Sequence, residues 1–277
     1  MPSAVARRFS PLPGFGLSLG ITILWLTLIV LIPLSAVFVK SGSEGWGTFF
    51  AAAASPRALA AYRLSFGAAA LAGLVNCVFG LLVAWVLVRY RFVGRRLFSA
   101  LIDLPFALPT AVAGIALTAL YANNGLIGRQ FAAVGIPIAY RPVGVVVALV
   151  FVGLPFVVRT VEPVLSQASS EVEEAAMTLG ATRIQTFARV ILPSISPALG
   201  TGFALAFARG AGEYGSMIFI AGNVPYKSEI APLLIITQLE EYNYAGAAAI
   251  ACVMLLISFA VLLLLGVVQH WQQRRIA

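Results

Sequence analysis

Two charged residues inside an apolar stretch are the first sign of chemistry in this sequence. Arg209 and Glu213 lie in the block 197–221, and their spacing of four residues predicts that they share one face of a helix. A charge at the centre of a bilayer costs roughly 2.5–3.5 kcal/mol on insertion scales, so each needs a partner or a watery cavity. Two interpretations stay open: a mutual pair that fixes helix packing, or an arginine that lines an anion path.

Prolines in the apolar block 98–121 add candidates for the same path. Pro105 and Pro109 remove backbone donors, which a membrane tolerates where neighbouring groups or a cavity satisfy the freed carbonyls. The Thr110 hydroxyl can serve as such a neighbour. Either a packing kink or a pore-lining bend fits this pattern. The candidate residues of a translocation path or gate are Pro109, Thr110, Arg209, Glu213 and Ser216.

Enzymatic chemistry finds little support elsewhere in the chain. The sole histidine is His270, and Cys77 and Cys252 stand alone in apolar runs. The phosphate-binding motif G-x-x-x-x-G-K-[ST] does not occur, so nucleotide hydrolysis would need another polypeptide. The sequence therefore predicts a protein that is not an enzyme, with no catalytic residue, no metal site and no cofactor bound by this chain.

The composition predicts that these residues are held by membrane helices. Of 277 residues, 61% are hydrophobic and 10% charged, too few charges to cover a soluble domain. Backbone groups find no partner in lipid, so each apolar block near the roughly 20 residues of a span is predicted to be helical. Asn76, a lone polar residue, is predicted to bond across helices. Six such blocks occur, at 15–39, 62–88, 98–121, 143–161, 197–221 and 246–268.

Positive charge between the blocks predicts their orientation. With the N-terminus inside, 11 of the 18 Lys and Arg residues fall on the cytoplasmic side and 6 outside, and the cluster at 89–96 dominates one short loop. The net charge of +8 therefore reflects topology, and nucleic acid is not a predicted partner. The prediction is an all-α integral membrane domain over 15–268, with cytoplasmic tails 1–14 and 269–277.

The longest predicted cytoplasmic link, 163–196, has a helix–glycine–helix pattern. Ser169 or Ser170 can cap a first helix whose opening turn is acidic, and Gly180 can close it after Leu179 in a left-handed conformation. A second helical segment follows from Thr182 to Ile191, and Pro193 marks the start of the fifth span. Taken alone, this link is either a partner-binding surface with small side chains or a plain surface loop.

Motif spacing in this link resembles a known signature. Glu174-Ala175-Ala176, then Gly180, then Val190-Ile191-Leu192-Pro193 resembles the EAA signature of ABC importer permeases, with Val190 in place of the usual Ile. In that family the link is a coupling helix that docks on a cytoplasmic ATPase. The resemblance implies an ATPase-coupling role for eight residues: Glu173, Glu174, Ala175, Ala176, Gly180, Arg183, Leu192 and Pro193.

Three further segments, 103–114, 155–165 and 212–223, are similar to the T-type permease subunits of sulfate/thiosulfate importers. Molybdate and tungstate permeases and the W-type sulfate subunits are the nearest alternatives. The resemblance implies a six-helix type I importer domain in the bacterial inner membrane. It also implies these partners: a second permease of the W type, two ABC ATPases carrying ATP and magnesium, and a periplasmic or lipid-anchored sulfate-binding protein that meets the loops 122–141 and 222–245.

Ion-driven secondary transport is a competing function. Such a transporter needs titratable or ion-coordinating groups near the midplane, and Glu213 is the single carboxylate well inside a block. A structural membrane protein is a third possibility. ATP dependence of uptake separates the first hypothesis from both others.

Overall fold

The computed structural model describes residues 14–168 and 170–276, with side chains over 14–168 and 171–269. Within these ranges all regular elements are helices. In chain order they are α1 Phe15–Gly42, α2 Trp46–Ala53, α3 Pro56–Arg89, α4 Arg95–Ile102, α5 Leu104–Ala107, α6 Thr110–Tyr121, α7 Gly128–Ala133, α8 Pro142–Gln167, α9 Ser170–Thr178, α10 Arg183–Ala211, α11 Met217–Ile220, α12 Ala231–Glu240 and α13 Tyr244–Ile276.

Five helices in the described part of the chain are long and apolar enough to cross a membrane. They are α1, α3, α8, α10 and the part Tyr244–Gln269 of α13. The prediction of an all-α membrane domain is confirmed. The count of six spans, the side on which each terminus lies and the tail boundaries stay predictions.

The third apolar block, 98–121, is where the prediction of one helical segment is wrong. The chain breaks at Asp103 and again at Leu108, whose backbone is extended with φ −81° and ψ 135°. The second break follows from Pro109, because a residue that precedes proline is disfavoured in the helical conformation. As a result α6 begins afresh at Thr110.

The core is a three-helix packing of α3, α8 and α10. The buried face of α3 is dominated by small residues at helical spacing, such as Ala61, Ser65, Ala72 and Gly80. Small side chains let membrane helices approach closely, which replaces the hydrophobic driving force that lipid removes. Larger apolar side chains of α8, among them Val157, fill the facing space.

Asn76 sits at the centre of this packing, and its predicted interhelical hydrogen bond is wrong. The residue is fully buried, and neither Nδ2 nor Oδ1 has a hydrogen-bond partner among the described atoms. Gly153 of α8 lies opposite, so close that a methyl group there would come within 2.5 Å of Nδ2. Close packing by small residues at this level prevents a second polar side chain from reaching the amide.

Helix α12 lies within the loop 222–245. Its buried residues Ala231 and Leu234 pack with Tyr62 of α3 and Ile250 of α13. The loop 122–141 contains the short helix α7. Helix α1, by contrast, packs against α13 through its second half, and its membrane-length window has no buried residue.

Two ion pairs mark the ends of the bundle. Arg57, at the start of α3, makes a bidentate pair with Glu229, at 2.7 and 2.8 Å. Arg89, at the other end of α3, pairs with Glu173 of α9. The 34 residues of α3 rise about 51 Å, so the pairs bracket more than the hydrocarbon thickness. The end that carries Arg89 is called the coupling-loop end below.

Candidate coupling site and translocation path

The predicted glycine stop in the link 163–196 is confirmed. Gly180 has φ +85°, where a side chain is strained. The amide of Ala181 donates to the Ala176 carbonyl at 3.0 Å, and the Gly180 amide donates to Met177 at 2.9 Å. This bond pair is the Schellman arrangement, which satisfies carbonyls left free at a helix end. The predicted cap at Ser169 or Ser170 falls outside the described side chains.

The second helix of the link begins as predicted but does not stop. Thr182 and Gln185 form a reciprocal capping box, with bonds of 3.3 and 2.8 Å. The helix then runs on to Ala211, so the predicted boundary at Pro193 is wrong. A π turn over Phe187–Ile191 widens the helix just before Pro193. That widening accommodates a residue that lacks an N–H and whose ring would otherwise clash with the preceding turn.

The predicted coupling residues mostly line an exposed surface. Glu174, Ala175, Gly180, Arg183 and Pro193 are exposed, whereas Glu173, Ala176 and Leu192 are half-buried. Between them stand large apolar side chains that sequence reasoning missed: Val172, Met177, Leu179 and Ile184, with Leu179 89% exposed. Apolar residues clustered on a polar rim mark a protein interface. The helical 3.6-residue period of the link could have indicated this face.

Arg89 joins this surface to the bundle. Its guanidinium pairs with Glu173 and lies 5.5 Å from the ring centroid of Trp85, on its own helix. Trp85 in turn packs edge-on against Phe187 of the π turn, at 5.6 Å between ring centroids. The three contacts connect α3, α9 and α10 at one point. Sequence reasoning placed Arg89 in a basic loop but had no signal for a partner 84 residues away.

A second charged junction lies at the same end. Arg159 of α8 donates to both carboxylate oxygens of Asp103, at 2.8 and 2.5 Å, and to Glu162 at 2.5 Å. It also donates to the carbonyl and hydroxyl of Ser99. The helix break at Asp103 is thereby tied to α8.

The path candidates Arg209, Glu213 and Ser216 meet at the end of α10. Oε1 of Glu213 accepts the Ser216 amide at 3.0 Å and the Ser216 hydroxyl at 2.9 Å, while Oε2 accepts from Arg209. The Glu213 side chain is 1% exposed, so three donors compensate the removal of its charge from water. Arg209 keeps 36% of its side chain exposed. We call Arg209, Glu213 and Ser216 the Glu213 cluster.

The shared helical face predicted for Arg209 and Glu213 is wrong in detail, although their pairing is confirmed. Helix α10 ends at Ala211, and Gly212 caps it with φ −96°. Glu213 therefore lies beyond the helix, in a turn that carries its carboxylate back to Arg209. Gly212 thus marks the end of the helix.

Thr110 lies against the same turn. A side chain at Gly215 would overlap the Thr110 hydroxyl, and one at Gly114 would come within 2.5 Å of the Ser216 carbonyl oxygen. Helix α6 therefore packs directly on the turn 212–216 because both glycines lack side chains. Pro109, the residue before α6, holds the extended backbone that starts this contact.

Comparison with known proteins decides the family. A model described as "Binding-protein-dependent transport system inner membrane component" matches residues 76–277. This chain belongs to that family. It is accordingly a transport component of the inner membrane with several spans.

Curated relatives match over nearly the whole length. The sulfate transport system permease protein CysT of Salmonella typhimurium is 48% identical over 265 residues, which cover 96% of each chain. The CysT protein of Synechocystis is also 48% identical, over 99% of this chain and 96% of its own. The resemblance to T-type permease subunits is confirmed.

Solved structures show the fold. A bacterial ABC transporter involved in import of the acidic polysaccharide alginate superposes with a TM-score of 0.74 at 16% identity, covering 94% of both chains. The same transporter type in complex with a pentasaccharide-bound periplasmic protein gives 0.71 at 18% identity, again over 94% of each chain. At these identities the fold of an ABC importer transmembrane domain is what is shared.

Proposed function

We propose that this chain is a permease subunit of an ATP-driven importer that forms part of the path for sulfate, and for thiosulfate, into the bacterial cytoplasm. The observation that carries the proposal is the 48% identity to CysT sulfate permease proteins over 96% of the chain. ATP and magnesium belong to a partner, and this chain performs no catalysis.

The proposed assembly has four kinds of subunit. A second permease of the W type pairs with this chain, two ABC ATPases bind at the coupling-loop end, and a periplasmic or lipid-anchored binding protein delivers the anion at the opposite end. Structures of the same fold include one in complex with a periplasmic binding protein, which supports this arrangement. The loops 122–141 and 222–245 are the proposed contact with the binding protein.

The link 163–196 is the proposed ATPase contact. Its exposed apolar residues Val172, Leu179 and Ile184 have no covering element in the described chain and suit a groove on the ATPase. Beside these apolar residues, Glu174 presents an acidic group, and Ala175 and Ala176 present small side chains. The pair Arg89–Glu173 then passes a displacement of α9 to the end of α3.

The Glu213 cluster is the proposed gate region. The exposed part of the Arg209 guanidinium supplies a cation for a divalent anion, while Glu213 holds it in position. Since Glu213 compensates that charge, the site attracts sulfate weakly, and a weak site permits release. Pro109 and Thr110 flank the same turn from α6.

Labelled sulfate uptake tests the substrate. Cells that lack the chain are compared with cells in which it is restored, with thiosulfate and molybdate as competitors. We expect uptake to be lost and restored with the chain, to depend on ATP, and to fall with excess thiosulfate. Normal sulfate uptake with lost molybdate uptake would move the protein to the molybdate branch.

Coupling is tested by two substitutions in the link. Gly180→Pro cannot adopt φ +85°, and Glu174→Arg reverses a charge on the docking surface. We expect both variants to reach the membrane but to lose uptake and substrate-stimulated ATP hydrolysis. Arg91→Gln, outside the link and outside every proposed contact, is the control. Wild-type uptake by either variant would refute the coupling role.

A further inference from the structure

A cavity outside both sites described above opens at the coupling-loop end. Its volume is about 370 Å³, and five residues line it: Leu87 of α3, Arg95, Arg96 and Ser99 of α4, and Glu162 of α8. This volume lies in the range of roughly 300–1,000 Å³ that is usual for sites of small ligands. The cavity does not include any residue of the Glu213 cluster or of the proposed ATPase contact.

The charge of this cavity is positive. Arg95 and Arg96 make no ion pair with any carboxylate of the described chain. Glu162, the acidic residue of the lining, is already paired with Arg159 at 2.5 Å. Ser99 accepts a hydrogen bond from Arg159 at 2.8 Å, so its own hydroxyl proton remains available to a ligand. Two guanidinium groups and a hydroxyl offer donors that match the oxygens of a phosphate.

The helix that lines the cavity also carries exposed apolar side chains. On the helix that carries both arginines, Leu97 is 67% and Leu101 is 54% exposed. Phe92 and Val93, just before α4, are exposed as well. A short helix with arginines on one face and large apolar residues on the other is typical of the boundary between headgroups and acyl chains. A free anion gains no favourable contact with that apolar face, whereas the acyl chains of a lipid do.

We propose that this cavity binds the phosphate group of an anionic membrane phospholipid. Arg95 and Arg96 hold the phosphate, Ser99 donates to it, and the acyl chains lie along Leu97 and Leu101. The ligand chemistry is a phosphate anion, which either a lipid or free phosphate could supply, and the exposed apolar face of α4 favours the lipid. A bound lipid would brace α4 against α3 and α8.

The test measures lipid binding by the assembled transporter in detergent. Native mass spectrometry counts bound phosphatidylglycerol during titration, with phosphatidylcholine as the neutral comparison. We expect Arg95→Gln and Arg96→Gln each to weaken phosphatidylglycerol binding at least tenfold. The matched control is Arg91→Gln, which removes one charge from the same loop but does not line the cavity. We expect less than a twofold effect from it.

Separate arms distinguish the source of the phosphate. Inorganic phosphate and glycerol phosphate are titrated against bound phosphatidylglycerol, and we expect neither to displace it at the concentrations where the lipid saturates. Leu97→Gln should weaken binding of the long-chain lipid but not of a dihexanoyl analogue. Arg96→Lys keeps the charge and should bind more tightly than Arg96→Gln, which separates binding from failure to assemble.

Three outcomes would overturn the proposal. Equal weakening by Arg91→Gln would mean general attraction to a basic surface. Displacement by inorganic phosphate would mean that the site holds a free anion. Equal binding of phosphatidylcholine would mean that the arginines do not select for charge. Binding is read without transport, so none of these results depends on the substrate proposed above.

Discussion

The Glu213 cluster and the link 163–196 differ in where their side chains find partners. The cluster finds them within the chain, whereas the link leaves apolar side chains exposed. In the Glu213 cluster one buried carboxylate accepts three hydrogen bonds, and all donors lie within Arg209 to Ser216. In the link, Leu179 and Ile184 are exposed by 89% and 81%, and the pair Arg89–Glu173 reaches across 84 residues. The first region is complete within the chain. The second presents apolar surface that a partner must cover.

The largest expected effect concerns the completeness of the Glu213 cluster. Glu213→Ala leaves Arg209 without its counter-charge and the Ser216 donors without an acceptor. Removing one partner of a buried pair typically costs about 3–5 kcal/mol, and partial exposure of Arg209 places the expected loss at the lower end of that range. Thermal unfolding of the purified transporter measures it. Glu213→Gln keeps an acceptor for Ser216 and should lose less; equal losses would contradict a contribution from the two hydrogen bonds that Ser216 donates.

The next effect concerns the contact between α6 and the turn 212–216. Gly114→Ala places a methyl group within 2.5 Å of the Ser216 carbonyl, so backbone must move. Overpacking of this kind typically costs about 1–3 kcal/mol. Gly212→Ala is the control, since that glycine has open space around it and an ordinary φ. The unfolding midpoints of both variants measure the difference. An unchanged midpoint for Gly114→Ala would show that the turn 212–216 shifts at little cost.

The comparison also shows what sequence reasoning reaches. Local signals sufficed for the helix stop at Gly180 and for the start of the second helix at Thr182, because both are set by residues within a few positions. The same reasoning offered a pair of Arg209 with Glu213 as one of two interpretations. It extended the helix through Glu213, since spacing alone does not show where Gly212 ends it. The partners of Arg89 and Arg159 lie on other helices, 84 and 56 residues away, and their pairing depends on the packed bundle.

A third effect tests whether the link is tied to the bundle by Arg89. Arg89→Ala removes a half-buried ion pair and the contact with Trp85, which together are worth about 1.5 kcal/mol. We expect a large loss of uptake although the free energy of unfolding falls only by this amount, because the contact that joins α9 to α3 is lost. Uptake per ATP hydrolysed measures this. Arg91→Ala, in the same loop, should leave that ratio unchanged, and an equal fall would place the effect in the loop's overall charge.

The smallest effect concerns the backbone of the link. Gly180→Ala strains a residue with φ +85° but meets no neighbouring atom within 4 Å, so the cost is confined to the backbone at about 1 kcal/mol. Limited proteolysis of the assembled transporter should cut the link faster in this variant. Gly180→Asn tolerates the left-handed conformation better and should be cut more slowly than Gly180→Ala. Indistinguishable cleavage would mean that φ at this position is not decisive.

The short length of α6 has a consequence for biosynthesis. Its 12 residues rise about 18 Å, less than the roughly 30 Å of hydrocarbon that a span must cross. Its principal packing partner, α11, emerges from the ribosome roughly 100 residues later, which takes about 5–20 s at ordinary rates of bacterial translation. During that interval α6 lacks its principal packing partner. If α6 stays in the translocon until α11 has been synthesised, its entry into the bilayer follows the synthesis of α11.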